Sequence, residues 1–196
     1  MVIVGLTGGI GSGKTTISKC FESFDIPVYI ADDEAKSLMN RSKVIKRKLV
    51  QLFGESAYKD GVLNRHFIAS KIFTDKTLLL KMNAIVHPKV ASHFKGWLKK
   101  RDAPYIVKEA AIIFEYKLES QYDYIITVIA DEDLRIKRVM KRDDASKEKI
   151  KSIIKNQLSD ADKIKKSDFV IINNDLDLAK KAASEVHYQI LQVIKA

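Results

Sequence analysis

The chain has 196 residues, 46% of them hydrophobic, which suits one compact domain carrying an insertion. Lysine and arginine number 35 against 25 acidic residues, and the net charge of +10 favours polyanionic partners, either nucleic acid or phosphate-rich small molecules. No apolar run could span a bilayer, the start lacks the basic region of a signal peptide, and the single Cys20 excludes an internal disulfide. We expect a cytoplasmic protein without membrane contact.

Short apolar runs alternate with helical patterns, which predicts an α/β fold with a parallel sheet covered by helices. The five predicted strands are Val2–Leu6, Val28–Ile30, Tyr105–Val107, Tyr124–Ile129 and Phe169–Ile172. Residues 42–101 show helical periodicity and no convincing strand, so we predict a helical insertion between the second and third strands. Pro88 interrupts its longer pattern and predicts a break or kink near His87.

The strongest functional signal lies between the first strand and the first helix. Residues 8–15, here called the phosphate loop, have a glycine, four residues and then Gly-Lys-Thr, the pattern of a phosphate-binding loop. Glycines let successive N–H groups point inward at phosphates, and the following helix adds the positive end of its dipole. Lys14 can reach the β- and γ-phosphates, and the Thr15 hydroxyl can ligate Mg²⁺. The predicted nucleotide-binding set is Gly8, Gly9, Ile10, Gly11, Ser12, Gly13, Lys14, Thr15 and Thr16.

Carboxylates follow the second and third predicted strands, where an open parallel sheet places its ligands. Asp32 could orient an acceptor hydroxyl and take its proton, or it could cap a helix from Asp33 to Met39. Glu109 could hold Mg²⁺ through water, although a solvated charge after a buried strand is the commoner outcome for so short a motif. Glu115 is a weaker candidate.

Residues 135–166 form a strongly basic segment. Arg135, Arg138 and Arg142 are spaced three and four apart, which places them on one helical face. Such a face suits a lid whose guanidinium groups neutralise phosphate, and the alternative is a solvated basic surface. The segment lacks aromatic residues on which bases could stack, which argues against single-stranded nucleic acid.

Further short motifs extend the pattern along the chain. They are the Ala31-Asp32 pair, Leu63 with Arg65 after Asp60-Gly61, the run from Asn83 to His87-Pro88, Ile112 to Glu115, Arg138 with Arg142-Asp143, Gln157, and Val170-Ile171 with Asn173. Together with the phosphate loop, they make the chain resemble the bacterial dephospho-coenzyme A kinases from end to end.

The resemblance implies a P-loop kinase fold that transfers the γ-phosphoryl of ATP to the ribose 3′-hydroxyl of dephospho-CoA. It implies a nucleotide-binding core (1–41, 102–134 and 167–196), a helical substrate domain (42–101) and a lid (135–166). The alternatives are another P-loop kinase of a nucleoside or small molecule, or an ATPase or GTPase that acts with nucleic acid.

The resemblance also assigns roles to single residues. Catalytic roles fall to Asp32 as base and to Lys14, Arg138 and Arg142 as phosphate ligands. Arg65 and His87 join Asp32 on the acceptor side, and Asn173 lies in the segment associated with adenine. We expect Mg²⁺ at Thr15, dephospho-CoA as the partner, no nucleic acid, and a monomer.

Overall fold

The computed structural model describes residues 1–195, except for the side chain of residue 74. Its strands are β1 (Val2–Gly8), β2 (Val28–Ile30), β3 (Tyr58–Lys59), β4 (Val62–Leu63), β5 (Tyr105–Glu109), β6 (Tyr124–Ile129) and β7 (Phe169–Ile172). Its α-helices are α1 (Lys14–Ser23), α2 (Ala31–Arg41), α3 (Lys43–Phe53), α4 (Arg65–Thr74), α5 (Lys76–Leu98), α6 (Glu132–Asp143), α7 (Lys147–Lys155), α8 (Asp160–Lys165) and α9 (Leu176–Lys195). The described chain forms two compact units, residues 1–30 with 102–195, and residues 31–101.

The first unit is built on a five-stranded parallel sheet with the strand order β2-β5-β1-β6-β7. All five predicted strands are present, and the predicted parallel sheet flanked by helices is confirmed. Strand β1 lies in the centre, where Leu6 pairs with Glu109 on one side and with Ile126 on the other. The carboxyl ends of the strands therefore meet at the edge where the phosphate loop leaves β1.

A continuous apolar core fixes the sheet against helices α1 and α9. Alternate residues of the central strands, such as Val4, Leu6 and Ile126, are fully buried in it together with Ile17 and Ile190 of the two helices. Each buried side chain of this size contributes on the order of 2 kcal/mol, an upper estimate because the unfolded chain already buries some apolar surface. The core thus gives the phosphate loop a rigid base.

The second unit contains helices α2 to α5 and a short hairpin. Its apolar core includes Met39, Ile45, Leu49 and Val86. Residues 31–41, which the sequence-based division places with the nucleotide-binding core, pack in this unit because helix α2 contributes Met39 to that apolar core.

The expectation of no strand in residues 42–101 is wrong, and so is the expectation of a helix break near His87. Strands β3 and β4 form an antiparallel pair in a region where no strand was predicted. The signal was Asp60-Gly61, since both residues have positive φ values (51° and 77°), as tight hairpin turns require. Helix α5 also does not break near His87, because Pro88 lies inside a continuous helix that buries Val86 and Phe94 on either side of it.

No helix within residues 1–195 combines the length and the apolar character needed to cross a bilayer.

Candidate active site

The phosphate loop joins the carboxyl end of β1 to the first turn of α1. Gly11 and Gly13 have φ values of 77° and 94°, a left-handed conformation that glycine adopts without steric cost. Lys14 is the first residue of α1, and its Nζ donates to the carbonyl oxygen of Gly8 at 3.0 Å and lies 3.4 Å from that of Gly9. The ammonium group is therefore held over the mouth of the loop, beside the positive end of the helix dipole.

Thr15 and Glu109 bring two oxygen-bearing side chains together next to the loop. The Thr15 hydroxyl donates to Glu109 Oε1 at 3.5 Å. Glu109 ends β5, pairs in register with Leu6 and is only 5% exposed. The alternative of a solvated charge is wrong for Glu109, because β5 lies inside the sheet between β2 and β1 and the Glu109 side chain is buried. A hydroxyl and a carboxylate are hard oxygen donors of the kind that Mg²⁺ prefers.

Asn173 and Arg138 lie beside residues 12 and 13 of the phosphate loop. Asn173, buried just after β7, donates its side-chain N–H to the Ser12 carbonyl oxygen at 2.7 Å. A Cβ atom at Gly13 would collide with this amide and would lie 4.0 Å from Arg138 Nη1. That Nη1 is buried and has no hydrogen-bond partner within residues 1–195. Because a buried, unpaired cationic donor is costly, its place beside the loop fits an anionic phosphate ligand.

The three arginines of α6 serve different purposes, although the sequence places them on one face. Arg135 is 4% exposed, donates from Nε to the Ile10 carbonyl oxygen at 2.9 Å and pairs with Asp160 at 3.0 Å. Arg142 lies at the exposed end of the helix, where its guanidinium makes a two-point contact with Asp143 at 2.7 Å. Of the three, only Arg138 presents an unpaired group to the loop.

Gln157 and Asp160 are site residues that local sequence patterns do not reveal. Gln157 follows α7, and its Oε1 accepts the Ile10 N–H at 2.9 Å. The only available signal for Gln157 was its place in the family pattern, since a single glutamine between two helices has no distinctive spacing. Asp160 carried no such signal.

Glu115 does not belong to a metal site within the described chain. It forms a buried ion pair with Lys163, at 3.0 Å between Oε1 and Nζ, and it also accepts the Leu158 N–H at 3.1 Å. The side chain of Lys163 is fully buried. This pair ties the segment after β5 to helix α8.

The predicted acceptor-side residues lie in the second unit. Asp32 lies in the first turn of α2, which begins at Ala31, so it is not the cap that precedes a helix starting at Asp33. Burial lowers the pKa of His87, and the negative charge of Asp32 opposes that shift, so the two side chains interact electrostatically. Arg65 is exposed at the start of α4, directly after the capping residue Asn64.

Comparison with known proteins identifies the family. The dephospho-CoA kinase family model matches residues 2–179. A dephospho-CoA kinase of Bacteroides fragilis is 37% identical over 194 residues, covering 94% of this chain and 95% of that protein. The chain belongs to the dephospho-CoA kinase family.

Solved structures share the fold of this chain. The Thermus thermophilus protein TT1252 superimposes with a TM-score of 0.88 at 28% identity, with 96% of each chain covered. A dephospho-CoA kinase from Campylobacter jejuni shares the fold, with a TM-score of 0.68 at 23% identity over 96% of each chain. The family match covers both the phosphate loop and the helical unit, so it does not favour another P-loop kinase of a nucleoside or small molecule.

Proposed function

We propose that this chain transfers the γ-phosphoryl group of ATP to the ribose 3′-hydroxyl of dephospho-CoA, giving CoA and ADP. The observation that carries the proposal is the family match over residues 2–179, combined with a phosphate loop beside the buried Arg138 Nη1, which has no hydrogen-bond partner within residues 1–195. A phosphoryl-transfer site works mainly by positioning its reactants and by neutralising charge, and the phosphate loop with Lys14 and Arg138 would do both for the nucleotide.

On the nucleotide side, the phosphate loop and the adjoining Thr16 bind the phosphates through their backbone N–H groups. Lys14 and Arg138 neutralise the negative charge that spreads over the transferring group. Arg142 acts with them once its guanidinium releases Asp143. Asn173 belongs to the adenine side and, through its bond to Ser12, supports the loop.

The Mg²⁺ that this family of reactions needs is proposed to bind at Thr15, with Glu109 beside it. When bound, the ion would withdraw charge from the phosphate oxygens. The Thr15–Glu109 contact keeps the two oxygen donors adjacent, and the burial of Glu109 keeps its carboxylate from turning into solvent.

On the acceptor side, Asp32 orients the 3′-hydroxyl and removes its proton as the phosphoryl group arrives. His87 and Arg65 contribute to acceptor binding, His87 from helix α5 and Arg65 from the start of α4. The helical residues 42–101 form the substrate domain. The segment 135–166 acts as a lid that excludes water, which would otherwise compete for the phosphoryl group.

We further propose that the enzyme is cytoplasmic, works as a monomer and binds no nucleic acid. Its positive charge then serves two polyphosphate ligands. The concentration of lysine and arginine in the proposed lid supports this interpretation.

The test is a coupled assay of ADP release at fixed ATP, with dephospho-CoA, a nucleoside and a small alcohol as acceptors. Dephospho-CoA should be preferred clearly, and mass spectrometry should find the new phosphate on its ribose. Lys14→Ala should abolish turnover. Asp32→Asn should slow it by about 10²–10⁴-fold, the usual contribution of a general base, while ATP still binds.

Asp33→Asn is the matched control, because Asp33 lies in the same helical turn as Asp32, is exposed like it, and forms its one ion pair within residues 1–195 with Lys36 at 2.7 Å. It should keep nearly full activity, since an exposed pair of this kind contributes little. A nearly normal rate for Asp32→Asn would remove that residue from the mechanism. An equal or better rate with another acceptor would overturn the proposed substrate.

A further inference from the structure

Ile10, at the tip of the phosphate loop, is held on three sides by the segment that follows β6. Its N–H donates to Gln157 Oε1 at 2.9 Å, and its carbonyl oxygen accepts from Arg135 Nε at 2.9 Å. Its side chain packs against the apolar cluster of Ile136, Val139 and Ile150, which joins α6 to α7. Both backbone polar groups of Ile10 are therefore bound by protein.

The Arg135 side chain that makes one of these bonds is itself fixed. It is 4% exposed, and its Nη1 pairs with Asp160 at 3.0 Å. This leaves the guanidinium with a hydrogen-bonded partner on each side, the loop and the start of α8. A buried guanidinium that is bound at both ends cannot change position without leaving polar groups unpaired.

The loop and α6 also pack closely at the glycines beside Ile10. A Cβ atom at Gly9 would collide with the Arg135 guanidinium, and one at Gly11 would lie 2.6 Å from the Arg135 carbonyl oxygen. There is no room for the loop to slide along the helix. The spacing between the loop and α6 is therefore set by direct contact.

Arg138 lies one turn further along α6, with its unpaired Nη1 directed towards Gly13. We propose that Arg135 and Gln157 are positioning residues: they hold the tip of the phosphate loop in one register with α6, and this register places Arg138 against the phosphates. Neither residue contacts substrate in this scheme. The proposal rests on the proposed kinase function only for the identity of the reaction. The contacts of Ile10 with Arg135 and Gln157 are made within the protein and do not depend on which substrate is bound.

Gln157→Met tests the idea, because methionine has nearly the same volume but provides only a weak acceptor for the Ile10 N–H. Gln157→Glu keeps a good acceptor at that position and should rescue it. Asn156→Ala is the control, since Asn156 is exposed and lies next to Gln157. The first readout is hydrogen exchange at the Ile10 amide without ligand. Exchange should speed up in Gln157→Met and stay near the wild-type rate in the other two variants.

The second readout is a double-mutant cycle with Arg138→Ala. Because one hydrogen bond is lost, Gln157→Met should lower kcat by about two- to tenfold in the wild-type background. If Gln157 acts through Arg138, the same change should cost less than about twofold once Arg138 is absent. A purely structural role would instead lower thermal stability and give equal penalties in both backgrounds.

Faster exchange in Gln157→Met, rescue by Gln157→Glu and a non-additive cycle would together support the proposal. Unchanged protection of the Ile10 amide, or additive penalties on kcat, would overturn it. If the wild-type protein does not phosphorylate dephospho-CoA, the proposed function fails, and the cycle is then run on ATP affinity. The exchange measurement and that cycle still decide whether Gln157 positions the loop and Arg138.

Discussion

Substituting Gly11 by alanine measures how tightly the phosphate loop is packed against α6. The new Cβ would lie 2.6 Å from the Arg135 carbonyl oxygen and 2.9 Å from Val139 Cγ2. Both distances are shorter than van der Waals contact, and the first involves backbone that cannot rotate away. Gly61 provides a matched control, because it has the same φ of 77° but nothing within 4 Å of its Cβ position.

Both substitutions strain the backbone, but only Gly11→Ala also overpacks its surroundings. An alanine in the left-handed conformation costs about 1–2 kcal/mol at either site. Overpacking adds about 1–3 kcal/mol, and only at Gly11. Since 1 kcal/mol shifts the Tm of a chain this size by about 2–4 °C, Gly11→Ala should melt about 2–12 °C below Gly61→Ala.

Thermal unfolding followed by circular dichroism measures this difference, and steady-state kinetics with ATP measures its effect on the site. Gly61→Ala should keep kcat/KM for ATP within about twofold. Gly11→Ala should lower it by up to about 10²-fold, because a shift near 1 Å in a positioning element has that effect. Equal melting temperatures for the two variants would refute the claim that the loop and α6 are in rigid contact.

Two further predictions concern buried charge. Glu115→Gln should lower the free energy of unfolding by about 3–5 kcal/mol, because it leaves the buried Lys163 ammonium unpaired. Glu115→Leu combined with Lys163→Met should recover most of that stability. Urea unfolding measures both variants, and a loss below about 1 kcal/mol in Glu115→Gln would contradict the prediction. Burial lowers the pKa of His187, whose Nδ1 lies 2.6 Å from the Tyr105 hydroxyl oxygen, so the unfolded chain takes up a proton first as pH falls. Stability should therefore decrease below about pH 6.5, the ordinary histidine pKa, and remain unaffected by this group above it. The decrease should be shallower in His187→Phe, and equal slopes in urea titrations at several pH values would argue against a role for His187.

The sequence predicted the elements whose signals are local. Apolar runs such as Val2–Leu6 identified the five strands, and the glycine spacing identified the loop between β1 and α1. The hairpin at Asp60-Gly61 was missed because its strands have only two residues each, too few to show an alternating pattern.

The parts of the site that were missed depend on contacts between distant residues. The burial of Glu109 follows from the position of β5 between β2 and β1, and the burial of Arg135 follows from its contacts with Ile10 and Asp160. Helical spacing predicted that Arg135, Arg138 and Arg142 lie on one face of a helix. It does not predict which of them contacts the phosphate loop. Only the packing of α6 distinguishes them.

The central place of β1 has a consequence for synthesis on the ribosome. Its two neighbours in the sheet begin at Tyr105 and Tyr124, and the amide that braces the Ser12 carbonyl oxygen comes from Asn173, 161 residues further along. A nascent chain therefore carries its nucleotide-binding motif from the outset but cannot assemble it until nearly the whole polypeptide has emerged. Contacts this distant in sequence also slow folding. The time at which the phosphate loop can bind a nucleotide is therefore set by the segment around Asn173, which is among the last parts to be synthesised.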